Sequence, residues 1–192
     1  MQSLLSNLAE IRTGLTLRGP DASRRTEEGG IHLLRISDIT DDGRIRIESA
    51  HLLDRALGDD PRYRIASGDI VIANRGTRMT AALVPSGLEA VASGQIFIVR
   101  PVSRKVSPEY LHWFLNLDTT QTFLSSQTRG SYVKTLSIAV IRELSVPILP
   151  LDLQAKVCAL FDLAAREREL LHLIADKRYQ LLQATFTKTL QP

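Results

Sequence analysis

The sequence predicts an α+β protein: a β-rich body with mixed or antiparallel strands and peripheral helices, followed by one long C-terminal α-helix. Three observations carry this. Short apolar runs rich in Ile and Val recur through residues 33–100, with Gly, Pro and Asp turn signals between them. A Ser107-Pro108 helix start opens a more helical stretch. Residues 151–191 contain no Gly or Pro, and Leu153, Val157, Leu160, Ala164, Leu171, Ile174 and Leu181 recur at helical spacing. At 1.5 Å per residue that helix extends roughly 57 Å, longer than its body needs. It therefore requires a partner, in the same chain or another one. The expected organisation is a body over residues 1–150 and a spacer or dimerisation helix over 151–192.

Taken in order, residues 4–11 have a short amphipathic pattern that predicts an opening helix or turn. Residues 13–30, rich in Gly, Thr, Arg and Glu, read as a loop. Leu33-Leu-Arg-Ile and Arg44-Ile-Arg-Ile-Glu flank Thr40-Asp-Asp-Gly and predict two strands about a turn. Ile45 and Ile47 alternate with Arg44, Arg46 and Glu48, so one face is buried and the other is solvated or binds something. Further strands are expected at Tyr63-Arg-Ile, Asp69-Ile-Val-Ile-Ala, Ala81-Ala-Leu-Val and Ile96-Phe-Ile-Val-Arg. Tyr110, Leu111, Trp113, Phe114 and Leu117 make the apolar side of the helix after Ser107. A second short helix is expected over 120–126, and a capped helical turn after Ser137. Ser145-Val-Pro-Ile-Leu reads as an edge strand because of Pro147. Asp152 is placed to cap the long helix.

Apolar residues make up 44% and charged residues 23% of the chain, the balance of a soluble globular protein. Neither a transmembrane span nor a signal-peptide start is visible. Cys158 is the single cysteine, so no internal disulfide forms and a reducing cytoplasm is the natural compartment. The net charge of +3 implies little by itself, but Arg supplies 19 of 24 basic residues. A GC-rich genome would raise Arg as well. The distribution is more informative: residues 70–88 and 119–142 contain no Asp or Glu. Two acid-free windows suggest local positive surfaces.

No catalytic motif emerges. His32, His51, His112 and His172 are far apart and, with one cysteine, do not make a zinc site. Phosphate-loop, dinucleotide and nucleophile-elbow motifs are missing. Asp41-Asp42 and Asp59-Asp60 sit beside Gly or Pro and read as solvated turns. The expectation is a protein that is not an enzyme and needs no cofactor or metal. Binding features remain. Asn74-Arg75-Gly76-Thr77-Arg78 and Gln127-Thr-Arg129-Gly-Ser131-Tyr132-Val-Lys134 are acid-free loops carrying cations, hydroxyls and one aromatic. Such side chains reach phosphates and base edges; ordinary polar turns have the same residue types. A polyanion partner is favoured by the two loops together.

The order of motifs resembles a target-recognition domain, with its trailing helix, from the specificity (S) subunit of type I restriction–modification systems. The matching pieces run nearly end to end: Leu8-Ala-Glu-Ile-Arg-Thr-Gly; Leu34-Arg-Ile-Ser-Asp-Ile with Gly43; Ser67-Gly-Asp-Ile-Val-Ile-Ala with Gly76-Thr77; Gln95-Ile-Phe-Ile-Val-Arg-Pro; Pro108-Glu-Tyr-Leu-His-Trp-Phe-Leu; Gly130-Ser; and Leu144-Ser-Val-Pro-Ile-Leu-Pro-Leu with Gln154. The chain departs from the pattern at Leu153, where similar proteins carry Glu before the Gln. It departs also in having one domain and one helix where a full S subunit has two of each, so it reads as a half subunit.

The resemblance implies a specificity subunit that reads one half-site of double-stranded DNA and directs a methyltransferase (M) subunit to it, with a restriction (R) subunit as a further partner. It implies a homodimer through the long helix, with Glu167 and Arg178 interrupting the apolar row and able to pair across the seam. Expected DNA contacts are Arg75, Thr77, Arg78, Arg129, Ser131, Tyr132 and Lys134, with Arg35, Arg44 and Arg46 behind them. The competing expectation is an assembly protein that docks a methyltransferase, or another component of a defence system, without reading DNA.

Overall fold

The computed structural model describes residues 1–17, 25–26, 30–47, 52–58, 60–76, 79–130 and 134–189. Among the described residues eleven strands run in chain order: β1 (Gln2–Leu4), β2 (Ala9–Thr13), β3 (Arg25–Thr26), β4 (Ile31–Leu34), β5 (Leu52–Leu53), β6 (Arg64–Ile65), β7 (Ile70–Ala73), β8 (Ala81–Leu83), β9 (Ala90–Ala92), β10 (Ile96–Pro101) and β11 (Ser145–Pro147). The helices are α1 (Arg55–Gly58), α2 (Pro108–Asn116), α3 (Asp118–Ser126), α4 (Ile138–Arg142) and α5 (Leu151–Thr189). The α+β class expected from the sequence is the class found. The chain divides into two units, Met1–Gln154 and Ala155–Pro192.

In the first unit the strands form three sheets: β1-β11, β2-β10-β7-β8 and β3-β5-β4-β9-β6. β7 and β10 occupy the middle of the four-stranded sheet, and all four residues of β7 are buried. That is why Ile70-Val-Ile-Ala is a continuous apolar run rather than an alternating one. Val71, Ala82, Ile96 and Ile98 from this sheet pack with Leu34, Ile65, Ala90 and Ala92 from the five-stranded sheet in one cluster. Val91 points the other way, into a second cluster with Ile31, Leu33 and Leu53. The period-two alternation of Ala90, Val91 and Ala92 thus feeds two cores.

One sequence expectation is met in part and two are corrected. Of the helix or turn expected over residues 4–11 the turn is found: β1 leads into a 3-10 turn at Leu5–Asn7 and then β2, a strand that was not expected. Both strands find partners, β11 and β10, so ladder pairing wins over the short helical pattern. Residues 44–47 do not form a strand hairpin with β4, and Glu48 lies outside the described residues. Both edges of β4 are occupied, by β5 and β9, and among the described residues only an Ile39–Ile45 bridge remains there. Ile45 and Ile47 still pack half-buried against the first cluster. Asp152 stands inside the first turn of α5 rather than before it; its charge suits the helix N-terminus there. The turn at Thr40-Asp-Asp-Gly is present. Gly43 has φ 75°, and a Cβ on it would come within 2.7 Å of the Ala81 carbonyl oxygen.

Two polar locks hold the unit. Asp69, 2% exposed, accepts hydrogen bonds from the Ala66 amide (2.8 Å) and from Arg100 Nε (2.8 Å) and Nη2 (2.6 Å). The hydrogen bond to Asp69 raises the pKa of Arg100 despite opposing desolvation. Gln154, fully buried, accepts from the Ser107 amide (3.0 Å) and donates to the Lys105 (2.7 Å) and Leu149 (2.8 Å) carbonyls. It thereby fixes the first turn of α5 to the residues preceding α2. Ser107 caps α2 as expected, accepting from the Tyr110 amide at 3.1 Å.

Candidate nucleic-acid interface

The two acid-free loops meet. β7 ends at Ala73, and residues 74–76 continue beyond the sheet alongside residues 134–136. The Leu136 amide donates to the Asn74 carbonyl (2.9 Å), and the Gly76 amide to the Lys134 carbonyl (3.1 Å). Arg129 and Thr135 exchange both backbone bonds, at 3.0 and 2.8 Å. Thr135 is therefore bridged to Arg75 on one side and Arg129 on the other. Bridged residues present their side chains to one face at close spacing, so two exposed guanidinium groups flank one exposed hydroxyl. Lys134 is exposed beside them. Gly76 has φ 116°, a conformation that Gly adopts without a Cβ penalty. Its close approach is to the other loop's backbone.

The chain that follows the first loop is held by amides that the sequence reading did not single out. Gln121 of α3, buried, donates to the Met79 (3.0 Å) and Leu115 (2.7 Å) carbonyls. Asn116 of α2 accepts from the Ala81 amide (3.1 Å) and donates to its carbonyl (2.8 Å). Both grip the chain just after the first loop. Asn116 ends a mostly apolar helix and Gln121 stands among polar residues; neither setting identifies a partner some forty residues distant. Asn74, read as a surface group, instead turns inward and donates to the Gly94 carbonyl at 3.2 Å.

The other expected contacts divide. Thr77, Arg78, Ser131 and Tyr132 lie outside the described residues. Arg35, Arg44 and Arg46 belong to a separate segment organised by carboxylates. The Arg35 amide donates to Asp38 (2.8 Å), the Arg46 amide to the Asp38 carbonyl (2.8 Å), and Arg44 pairs with Asp42 at 3.1 Å. Arg44 and Arg46 are exposed and Arg35 is half-buried. The structure brings Arg75, Arg129 and Lys134 together; it does not join this second group to them. Among the described residues, no cluster of His, Cys, Asp and Glu could hold a metal ion.

The second unit is the rest of α5. Leu160, Leu171, Ile174 and Leu181 are exposed along it, as are Phe161, Leu163, Leu170, Leu173, Tyr179, Leu182 and Phe186. Val157 is half-buried. Among the described residues, no helix is long and apolar enough to cross a membrane.

A family model described as the type I restriction modification DNA specificity domain matches residues 2–170. The chain belongs to this family. The family is one of specificity subunits rather than of catalytic ones. Solved structures share the fold of this specificity domain. The crystal structure of the HsdS subunit from Thermoanaerobacter tengcongensis aligns with TM-score 0.63 and 16% identity, covering 87% of this chain and 37% of that one. A chain from a structure on complex assembly and conformational transition of the type I R-M system gives TM-score 0.67, 17% identity and coverages of 99% and 43%. The type I restriction-modification S subunit from M. genitalium gives 0.60, 12%, 93% and 42%. The specificity domain thus spans about two-fifths of the length of these chains. No curated protein sequence matches it.

Proposed function

We propose that this chain reads one half of a bipartite DNA site and directs a methyltransferase subunit, and through it a restriction subunit, to that site. The observation that carries this reading is the joining of two acid-free loops into one ladder that sets Arg75 and Arg129 on either side of Thr135, in a member of a DNA specificity family. Arginine reads guanine edges in bidentate fashion and also contacts phosphates, while threonine bonds either. Thr77, Arg78, Ser131, Tyr132 and Lys134 fall on the same two loops in sequence, so they extend the proposed surface. Arg35, Arg44 and Arg46 form a separate, outlying set. The body over residues 1–150 is the recognition domain, and the segment over residues 151–192, in which α5 runs from Leu151 to Thr189, is the spacer.

The exposed apolar side chains of α5 support a second copy as its partner, through Leu153, Val157, Leu160, Ala164, Leu171, Ile174 and Leu181. A two-fold dimer reads a palindromic site because the protein's symmetry is repeated in the DNA. The test is co-expression with a type I methyltransferase subunit, followed by mapping of methylated bases. The expected result is a two-part palindromic motif that disappears when the chain is omitted. Methylation without sequence preference would leave the chain an assembly factor and refute the reading.

A further inference from the structure

Away from the ladder, two more arginines line one groove whose described lining holds a single carboxylate, Glu10. β2 is an edge of the four-stranded sheet. Arg12, on this strand, has its Nε and Nη2 atoms buried with no hydrogen-bond partner. From the end of α4, Arg142 reaches across and donates Nη2 to the Ile11 carbonyl at 3.2 Å. Both side chains line an open groove of about 460 Å³, together with Ser6, Ala9, Glu10 and Val102. Glu10 is paired in register with Arg100 on the neighbouring strand. Among the described residues, neither Arg12 nor Arg142 has an ion pair.

Buried donors on a charged group carry a full desolvation penalty when unpaired, and a second guanidinium alongside adds repulsion. Two cations against one carboxylate leave the groove ready for one further anion. Its walls are partly apolar, with Ala9 and the 60%-exposed Val102 beside the cations. Arginine next to apolar surface is the composition of protein interfaces, and a carboxylate fits the guanidinium fork. The groove runs along β2, from Ala9 opposite Pro101 to Arg12 opposite Ile98, on the outer edge of the sheet, whereas the Arg75 loop continues from β7 on the other side of β10.

We propose that this groove receives an Asp or Glu side chain of a protein partner, seated between Arg12 and Arg142 with an apolar neighbour against Val102. The proposal rests on the function proposed above in taking that partner to be the methyltransferase subunit. The test uses the full chain and a purified methyltransferase subunit in calorimetric titrations, with thermal melting as a check on folding. Arg12→Gln and Arg142→Gln each weaken association about tenfold or more. Glu10→Gln tightens it severalfold, a gain that a misfolded variant does not give. DNA binding by the chain without the subunit keeps its affinity and salt dependence in all three.

Wild-type affinity in both arginine variants, or a loss in Glu10→Gln, overturns the proposal. So does a shallower salt dependence of DNA binding with subunit association intact, which assigns the groove to a phosphate. If the wild-type chain does not bind the subunit at all, the parent reading fails and takes this partner with it. If the wild type binds and the arginine variants bind equally well, only the groove assignment fails.

Discussion

At the scale of residues, buried polar groups decide both stability and the shape of the proposed interface. Asp69→Ala strips Arg100 of two charge-assisted bonds and the Ala66 amide of its acceptor. With Arg100 partly exposed, the expected cost is about 2–4 kcal/mol; a urea midpoint that falls at constant slope measures it. Gln121→Leu leaves the Met79 and Leu115 carbonyls without their donor and should cost about 1–3 kcal/mol. It should also weaken DNA binding, because the chain it grips continues the Arg75 loop. A variant that loses stability but binds DNA as wild type below its melting temperature would separate Gln121 from the interface. Of these two residues, Asp69 was legible as a turn signal before a strand, since Ser-Gly-Asp ahead of an apolar run is local information. The role of Gln121 was not legible. Its partner lies 42 positions away, and nothing in its neighbours distinguishes a buried amide from a solvated one.

At the scale of elements, the length and composition of α5 make a geometric prediction. At about 100° per residue, its large apolar side chains spread over about 240° of circumference, from Leu173 round through Leu171 to Tyr179. The remaining arc carries Asp162, Glu169, Asp176 and Gln183. An ordinary apolar stripe is roughly 100° wide, so one partner helix does not cover this surface, and a second partner is expected beside it. Antiparallel pairing of two copies centred between His172 and Leu173 sets Glu167 opposite Arg178 of the other copy. Glu167→Arg should therefore shift the dimer toward monomer in light scattering, and Glu167→Arg combined with Arg178→Glu should restore it. Failure of the double variant to recover would reject this register. The helix was legible because periodicity without Gly or Pro is a signal spread over many residues. β7 and β10 were legible as continuous apolar runs. β9 was not: Ala90-Val-Ala has little strand propensity, and it becomes a strand by fitting between β4 and β6 in a space that only small side chains fill. The opening segment was legible only as far as its turn, because β10, the partner that makes β2 a strand, comes far along the chain.

At the scale of the whole molecule, the salt dependence of DNA binding tests the two-loop surface as one object. If Arg75, Arg129 and Lys134 act on phosphates, each removes a counterion, and the slope of log K against log salt flattens by about one for each cation removed. If Arg75 or Arg129 instead reads a guanine, its loss relaxes one base position by about 1–3 kcal/mol, with affinity for other sequences unchanged. The ladder favours a divided outcome. Arg75 and Arg129 share Thr135 as a bridge partner and rise from one face, whereas Lys134 is one residue out of that alternation. Lys134→Ala should then weaken all sequences alike, and Arg75→Ala or Arg129→Ala should lose discrimination at neighbouring base pairs. In a dimer each effect appears twice, once per half-site, so the relaxed positions should be related by the two-fold axis of the methylated motif. Relaxation in one half only would mean that the second half-site is read by a different chain, and that the partner of α5 is not its own copy.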